Sequence, residues 1–225
     1  MPPVDDTYTG RVTVGSEPQT RTLGGLEITK VAVGPMDNNA YLLRCRTTGD
    51  TLLVDAANDA DTLRRLVAHQ GDGRLDQIIT THRHADHWQA LAEVASATGA
   101  RTAAGRPDAA ELPVEPDRRL DDGDEITVGT CRLHVIGLVG HTPGSVALLF
   151  EDPERHPHVF TGDSLFPGGV GKTGSQEDFA ALIDHVEQRL FDRLPDSTWV
   201  YPGHGADTTL GAERPHLGEW RARGW

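Results

Sequence analysis

One short stretch, THRHADH at residues 81–87, constrains this chain more than any other part of its sequence. It follows directly on the apolar run LDQIIT, which predicts a buried strand. If the backbone stays extended after that strand, His82 and His84 point to the same side, because side chains alternate along a strand. Asp86 and His87 then lie at the start of a helix and turn toward a neighbouring point. The spacing predicts two adjacent metal sites, one served by two imidazoles and the other by an aspartate–histidine pair.

Three more potential ligands lie in the same context, each at the end of an apolar strand. His141 follows HVIGLVG, Asp163 follows HVFTG, and His204 follows WVYPG. Taken singly, they could be a turn residue, a cap and a surface histidine. Taken together, they complete two sets of about three protein ligands. Such a set suits a two-metal hydrolytic centre, in which the ions lie roughly 3.5–4 Å apart.

The order of apolar runs predicts an α/β protein of two similar halves. We expect strands and helices in both halves, with two sheets packed together and helices outside. Asp86 is also a plausible N-cap for the helix that follows it. We expect a polar N-terminal segment over residues 1–22 and a single domain over residues 23–225. The predicted elements are strands at 26–33, 40–45, 51–56, 75–81 and 198–202, helices at 59–70, 87–99 and 176–194, a surface loop at 105–117, and a second β-rich group between that loop and the last helix.

Charge and cysteine content limit the kinds of partner and the cellular compartment that we expect. The excess of 34 acidic over 21 basic side chains gives a net charge of -13, which disfavours nucleic acid and anionic membranes as partners. We find neither a signal peptide nor an apolar run of membrane-spanning length. The two cysteines, Cys45 and Cys131, have no CxxC spacing, so we expect reduced, buried thiols. These features predict a cytoplasmic protein with a small-molecule substrate, and they leave its oligomeric state open.

Four motifs in this order, THRHADH, GHTPGS, TGDSLF and PGHG, resemble the metallo-β-lactamase superfamily, and most closely its glyoxalase II and thioester-hydrolase branch. The match runs from about residue 26 to residue 209. The resemblance implies a four-layer αβ/βα sandwich with the metals at its edge. It also implies a hydrolase that carries two Zn²⁺ ions per chain, with iron or manganese as other options.

The resemblance further implies a role for each motif residue. It assigns His82, His84 and His141 to the first metal, Asp86, His87 and His204 to the second, and the bridging position to Asp163. Asp86 could also orient the attacking water or accept its proton, and Asp55, at the end of the strand TLLVDA, could orient a ligand imidazole.

The loop LFPGGVGKTGS at residues 165–175 invites another interpretation, a phosphate-binding loop. That pattern requires glycine five positions before Gly171, where this chain has Phe166. In proteins similar to glyoxalase II, a Gly-x-Gly-Lys/Arg element follows the bridging aspartate and lines the substrate groove. The resemblance therefore implies that Lys172 contacts a substrate carboxylate. Gly174 and Ala206 stand where those proteins often have tyrosines, so the thiol of the substrate remains open.

Other functions remain alternatives at this stage. A related branch of the superfamily implies a mononuclear iron persulfide dioxygenase, with iron held by His82, His141 and Asp163. Members of that branch usually carry a Cys-Gly-Arg-Thr-Asp-Phe type run after the aspartate. This chain has Val170-Gly171-Lys172-Thr173, which favours the hydrolase. A lactonase is a further hydrolase variant, and the complete ligand set argues against a non-catalytic binding module.

Overall fold

A computed structural model describes residues 8–224 of the chain. Two β-sheets form its centre. The first has seven strands in chain order: β1 (Gln19–Thr22), β2 (Leu26–Val33), β3 (Asn38–Cys45), β4 (Thr51–Val54), β5 (Gln77–Thr80), β6 (Arg101–Gly105) and β7 (Arg118–Leu120). The second has six, in the order β15 (Thr208–Thr209), β14 (Trp199–Pro202), β11 (His158–Gly162), β10 (Val146–Phe150), β9 (Cys131–Gly137) and β8 (Glu125–Val128). A small hairpin joins β12 (Leu165–Phe166) to β13 (Gly169–Val170).

Helices cover the outer faces of both sheets, which gives the predicted four-layer sandwich. The α-helices are α1 (Ala60–Gln70), α2 (Leu91–Thr98), α3 (Gln176–Val186), α4 (Leu210–Glu213) and α5 (Leu217–Arg223). One apolar cluster fills the space between the sheets, a second lies between the first sheet and α1 and α2, and a third lies between the second sheet and α3 and α5. Each fully buried leucine or phenylalanine in these layers contributes about 1.5–3 kcal/mol through removal from water.

The sheet topology brings the ends of several strands to one edge. Strands β4 to β7 run parallel to one another, as do β11 and β14. Parallel neighbours end on the same side, so the segments after β5, β11 and β14 meet there. A hydrogen bond from Val146 N to Thr81 O (2.9 Å) ties the two sheets together at this edge.

Two helices differ from the expectation. Asp86 is not an N-cap: residues Ala85–His87 form a 3₁₀ turn, and α2 begins only at Leu91. The Asp86 carboxylate instead accepts a hydrogen bond from Asn38 Nδ2 (2.9 Å). The long helix ends at Val186 and continues as a π-helical turn over Glu187–Phe191, whose wider winding buries Leu190 and Phe191.

Both ends of the described chain pack against the body. Strand β1, which lies in the predicted polar N-terminal segment, pairs with β2, while residues 1–7 of that segment lie outside the described residues. Trp220 of α5 is buried and meets Phe191 edge-on at 6.4 Å between ring centroids. Both cysteines are free and buried. Among the described residues, no helix is long and apolar enough to cross a membrane.

Candidate metal centre

The seven side chains that the motifs single out converge at this common edge. His82, His84, Asp86 and His87 follow β5, His141 lies between β9 and β10, and Asp163 and His204 follow β11 and β14. The potential ligand atoms form three groups, and within each group they lie within 4.8 Å of one another. The groups are His82 with His84 and His141, His82 with His87 and Asp163, and Asp86 with His87 and His204. Residues that are up to 122 positions apart in the sequence thus share one site.

The first group, which we call the histidine trio, consists of His82, His84 and His141. Nε2 of His141 lies 3.3 Å from Nε2 of His82 and 2.9 Å from Nδ1 of His84. Tetrahedral ligands at a Zn–N distance of about 2.0–2.1 Å are spaced about 3.3 Å apart. Three imidazole nitrogens at this spacing suit a divalent cation, since their lone pairs face one another.

The second group, which we call the carboxylate trio, consists of Asp86, His87 and His204. Oδ2 of Asp86 lies 3.2 Å from Nε2 of His204 and 3.6 Å from Nε2 of His87. The two histidine Nε2 atoms are 3.3 Å apart. This group also has the spacing of ligands around one ion.

Asp163 lies between the two groups. Its Oδ1 is 3.3 Å from His87 Nε2, and its Oδ2 is 3.7 Å from His141 Nε2 and 3.6 Å from His204 Nε2. Oδ1 is buried without a hydrogen-bond partner, and such an atom suits a bound cation. A Cβ at Gly203 would lie only 2.2 Å from this oxygen, so glycine is required there.

Hydrogen bonds at Nδ1 aim the Nε2 lone pairs of three histidines into the site. His141 Nδ1 donates to the carbonyl of Lys172 (2.6 Å), His204 Nδ1 to the carbonyl of Met36 (3.1 Å), and His87 Nδ1 to Oδ2 of Asp55 (2.8 Å). A neutral imidazole that donates through one nitrogen must accept or coordinate through the other.

Asp55 supports more than one position. Besides His87, its carboxylate accepts from the backbone N–H (2.7 Å) and the hydroxyl (2.8 Å) of Thr81, the residue before His82. Its left-handed backbone, φ 59°, lies where β4 ends. Asp55 thus links the end of β4 to the start of the ligand segment.

The protonation equilibria of the two groups differ. Burial, together with the neighbouring imidazoles, holds the pKa of His82 well below its ordinary value, and burial lowers the pKa of His141. Burial alone would lower the pKa of His87, but the carboxylates of Asp55 and Asp163 raise it to about 10. Burial alone would lower the pKa of His204, but Asp86, Asp163 and the carbonyl of Met36 together raise it. His204 and Asn38, in turn, keep the pKa of Asp86 well below its usual range.

Two neighbouring side chains were not singled out from the sequence. Asn38, at the start of β3, is buried and reaches both Asp86 Oδ2 (2.9 Å) and His204 Nε2 (3.3 Å). Asp108, in the loop after β6, contacts the backbone of two ligand segments. Asparagine is unfavourable in strands, so the pair Asn38-Asn39 was a weak signal, whereas the proline-rich run around Asp108 gave none.

Lys172 reaches the site through its backbone. Its carbonyl orients His141, while its side chain is exposed. Gly171, just before it, packs so closely that an added Cβ would lie 1.8 Å from the carbonyl oxygen of Asp163. The loop that resembles a phosphate-binding element is therefore part of the wall behind Asp163 and His141.

Comparison with known proteins bears on the family and the fold of the chain. A family model described as the Metallo-beta-lactamase superfamily matches residues 33–204. The chain is 38% identical over 170 residues to a hydroxyacylglutathione hydrolase from Fuscovulum blasticum, an alignment that covers 75% of this chain and 62% of that protein. It is 30% identical to the probable metallo-hydrolase YqgX from Bacillus subtilis (strain 168), covering 82% and 93%.

A solved structure is similar as well. The crystal structure of ETHE1 from Myxococcus xanthus superimposes with a TM-score of 0.74 at 29% identity, covering 87% of this chain and 84% of that one. The chain therefore spans less than two thirds of the hydroxyacylglutathione hydrolase, but most of YqgX and of ETHE1.

Proposed function

Because the chain belongs to the metallo-beta-lactamase superfamily, we propose that it is a metal-dependent hydrolase of thioesters, or of related esters or lactones, with a small thiol-type substrate. The observation that carries the proposal is the convergence of two ligand groups on the two oxygens of Asp163. The names of the relatives, hydroxyacylglutathione hydrolase and probable metallo-hydrolase, support the same reaction class.

In this proposal the histidine trio would hold one divalent ion, the carboxylate trio would hold a second, and Asp163, whose oxygens face both trios, would serve both. We favour zinc, with iron or manganese as the other options. When bound, such ions would lower the pKa of water to about 7 and polarise a carbonyl group. The chain itself needs no serine or cysteine nucleophile for this chemistry.

Asp86 has a second task in this mechanism. Its carboxylate is fixed by Asn38 and its pKa is well below the usual range. A carboxylate with so low a pKa is a weak base, so it acts mainly as a hydrogen-bond acceptor that orients the attacking water. The exposed ammonium group of Lys172 is proposed to meet a carboxylate of the substrate, as a surface charge pair.

The second candidate function is an iron-dependent persulfide dioxygenase. Its three ligands, His82, His141 and Asp163, also lie together: His141 Nε2 is 3.3 Å from His82 Nε2 and 3.7 Å from Asp163 Oδ2. This set leaves His84, Asp86, His87 and His204 without a role. The hydrolase uses all seven side chains, and for that reason we favour it.

Elemental analysis of protein purified anaerobically, without added metal, separates the two candidates. We expect about two zinc ions per chain. A hydroxyacylglutathione, the same acyl group on other small thiols, and its oxygen ester then form the substrate panel, with release of thiol or acid as the signal. A single iron ion with almost no zinc, together with oxygen uptake in the presence of a persulfide, would favour the dioxygenase.

A further inference from the structure

One fully buried carboxylate, that of Asp108, lies behind the histidine trio. Asp108 follows β6 in the loop that leads to β7, and its exposed fraction is 0%. Its Oδ2 accepts hydrogen bonds from Arg83 N (3.0 Å) and Thr142 Oγ1 (2.5 Å), and its Oδ1 accepts from Gly144 N (2.9 Å). All three donors come from neighbouring loops, so this carboxylate joins separate parts of the chain.

The three donors belong to the two segments that carry the histidine trio. Arg83 lies between His82 and His84, so a bond to its backbone N–H restrains both histidines at once. Thr142 directly follows His141, and its hydroxyl also contacts Ser145 Oγ (2.6 Å). A single carboxylate therefore connects the His82–His84 segment to the His141 segment.

Close packing holds Asp108 in this position. A Cβ at Gly144 would lie 2.5 Å from the backbone nitrogen of Asp108 and 2.7 Å from its Cγ. A Cβ at Gly105 would lie 1.9 Å from the carbonyl oxygen of Gly144. The loops can approach this closely only because both positions are glycine.

We propose that Asp108 is a positioning residue that fixes the distance between the His82–His84 segment and His141 and so sets the metal affinity of the histidine trio. The inference rests on the proposed two-metal function. Asp55 differs because its carboxylate accepts directly from a ligand imidazole, that of His87 in the carboxylate trio, as well as from Thr81. Residues that orient ligands typically contribute 10–100-fold to metal affinity.

The test is to titrate the metal-free Asp108→Asn variant with Co²⁺ and to monitor binding by visible absorption. Asparagine keeps the shape, but its amide nitrogen cannot accept, so either Arg83 N or Gly144 N loses its partner. We expect one of the two binding steps to weaken by about 10–100-fold and the other to stay unchanged. His84→Ala and His204→Ala identify the steps, since each removes a ligand of one trio.

Two comparisons serve as matched controls. Asp117→Asn alters a carboxylate at the other end of the same loop, which accepts from Thr102 N (2.7 Å) and Thr102 Oγ1 (3.2 Å), and should leave both steps unchanged. Asp55→Asn, which alters the contact with His87, should weaken at least the step that Asp108→Asn spares. If Asp108→Asn does not fold, Thr142→Val carries the test: it removes the hydroxyl donor and should weaken the same step, while Thr142→Ser should not.

The outcomes separate this proposal from the proposed function. If the unaltered protein binds two Co²⁺ ions and both steps keep their affinity in Asp108→Asn and Thr142→Val, the positioning role is wrong, even if the melting temperature falls. If the unaltered protein binds fewer than two ions, the two-metal function fails and the positioning role fails with it. Weakening of both steps to the same extent would also contradict a role specific to the histidine trio.

Discussion

The two halves of the candidate metal centre use the same residue type in opposite environments. In the histidine trio, His82 and His141 have lowered pKa values, and their supports are a threonine hydroxyl and a backbone carbonyl. In the carboxylate trio, His87 and His204 have raised pKa values because Asp55, Asp86 and Asp163 surround them. In the first half the lowered pKa values favour the neutral form of His82 and His141, whereas in the second half protons compete with a cation for His87 and His204.

The halves also differ in how the fold anchors them. His84 is exposed, and Asp108 restrains its segment through the backbone. His87 is fully buried, and the loop of His204 is tied down by Lys30, whose ammonium group is buried and donates to Gly205 O (2.7 Å) and Asp207 Oδ1 (2.6 Å). Asp163 contacts histidines of both halves, so we expect the two halves to work as one site only when it is present.

Replacing Asp163 with alanine should have the largest effect, because it separates the halves. We expect hydrolysis to fall to the background rate and the metal content to fall below two ions per chain. Asp192→Ala, an exposed aspartate in the helical region after α3, is the control and should retain both. Near-native turnover of Asp163→Ala would refute the bridging role.

Removing one ligand from each half should give two matching defects. His84→Ala and His204→Ala should each leave about one ion per chain and reduce turnover by at least about 100-fold, the upper range for residues that only support a ligand. If both ions act in one reaction, the double variant should be little worse than either single variant, since the effects are not additive. Additive losses in turnover would indicate that each half works independently.

The contrast between the halves was only partly predictable from the sequence. The seven ligand candidates were recognisable because each follows an apolar strand, and strand ends meet at one edge of such a sandwich. Helix α1 was predictable from the spacing of Leu63, Leu66 and Val67, which are all buried. Each of these patterns lies within one short segment, so it can be recognised without knowing which segments meet in the fold.

The supports of each half depend on contacts between distant segments, which leave no local pattern. Asn38 lies 48 positions from Asp86, and Asp108 lies 34 positions from Thr142. Asp86 looked like a helix cap because the sequence places it before a helical pattern. The structure turns its carboxylate to Asn38 instead, and the helix begins five residues later.

Lowering the pH should release metal from the carboxylate trio first. The pKa of His87 is raised to about 10, so at neutral pH a metal must displace a proton there, and each unit of pH lost should weaken that step about tenfold. The lowered pKa values of His82 and His141 keep these imidazoles neutral, so the step at the histidine trio should change little. Co²⁺ titrations at pH 8, 7 and 6 measure the affinity of both steps. If the two affinities changed equally with pH, the predicted difference between the trios would be wrong.

Lys172→Ala should have the smallest effect and should spare both halves. The contact of Lys172 with His141 is made by the backbone carbonyl, which alanine retains, so metal content and both affinities should stay unchanged. The exposed side chain can form only a solvated charge pair with a substrate, which corresponds to at most about a five-fold rise in KM with kcat little altered. A substrate that is otherwise the same but lacks the carboxylate should show no rise in KM. A loss of metal would mean that the side chain supports the histidine trio, and an unchanged KM for carboxylate substrates would exclude its proposed contact.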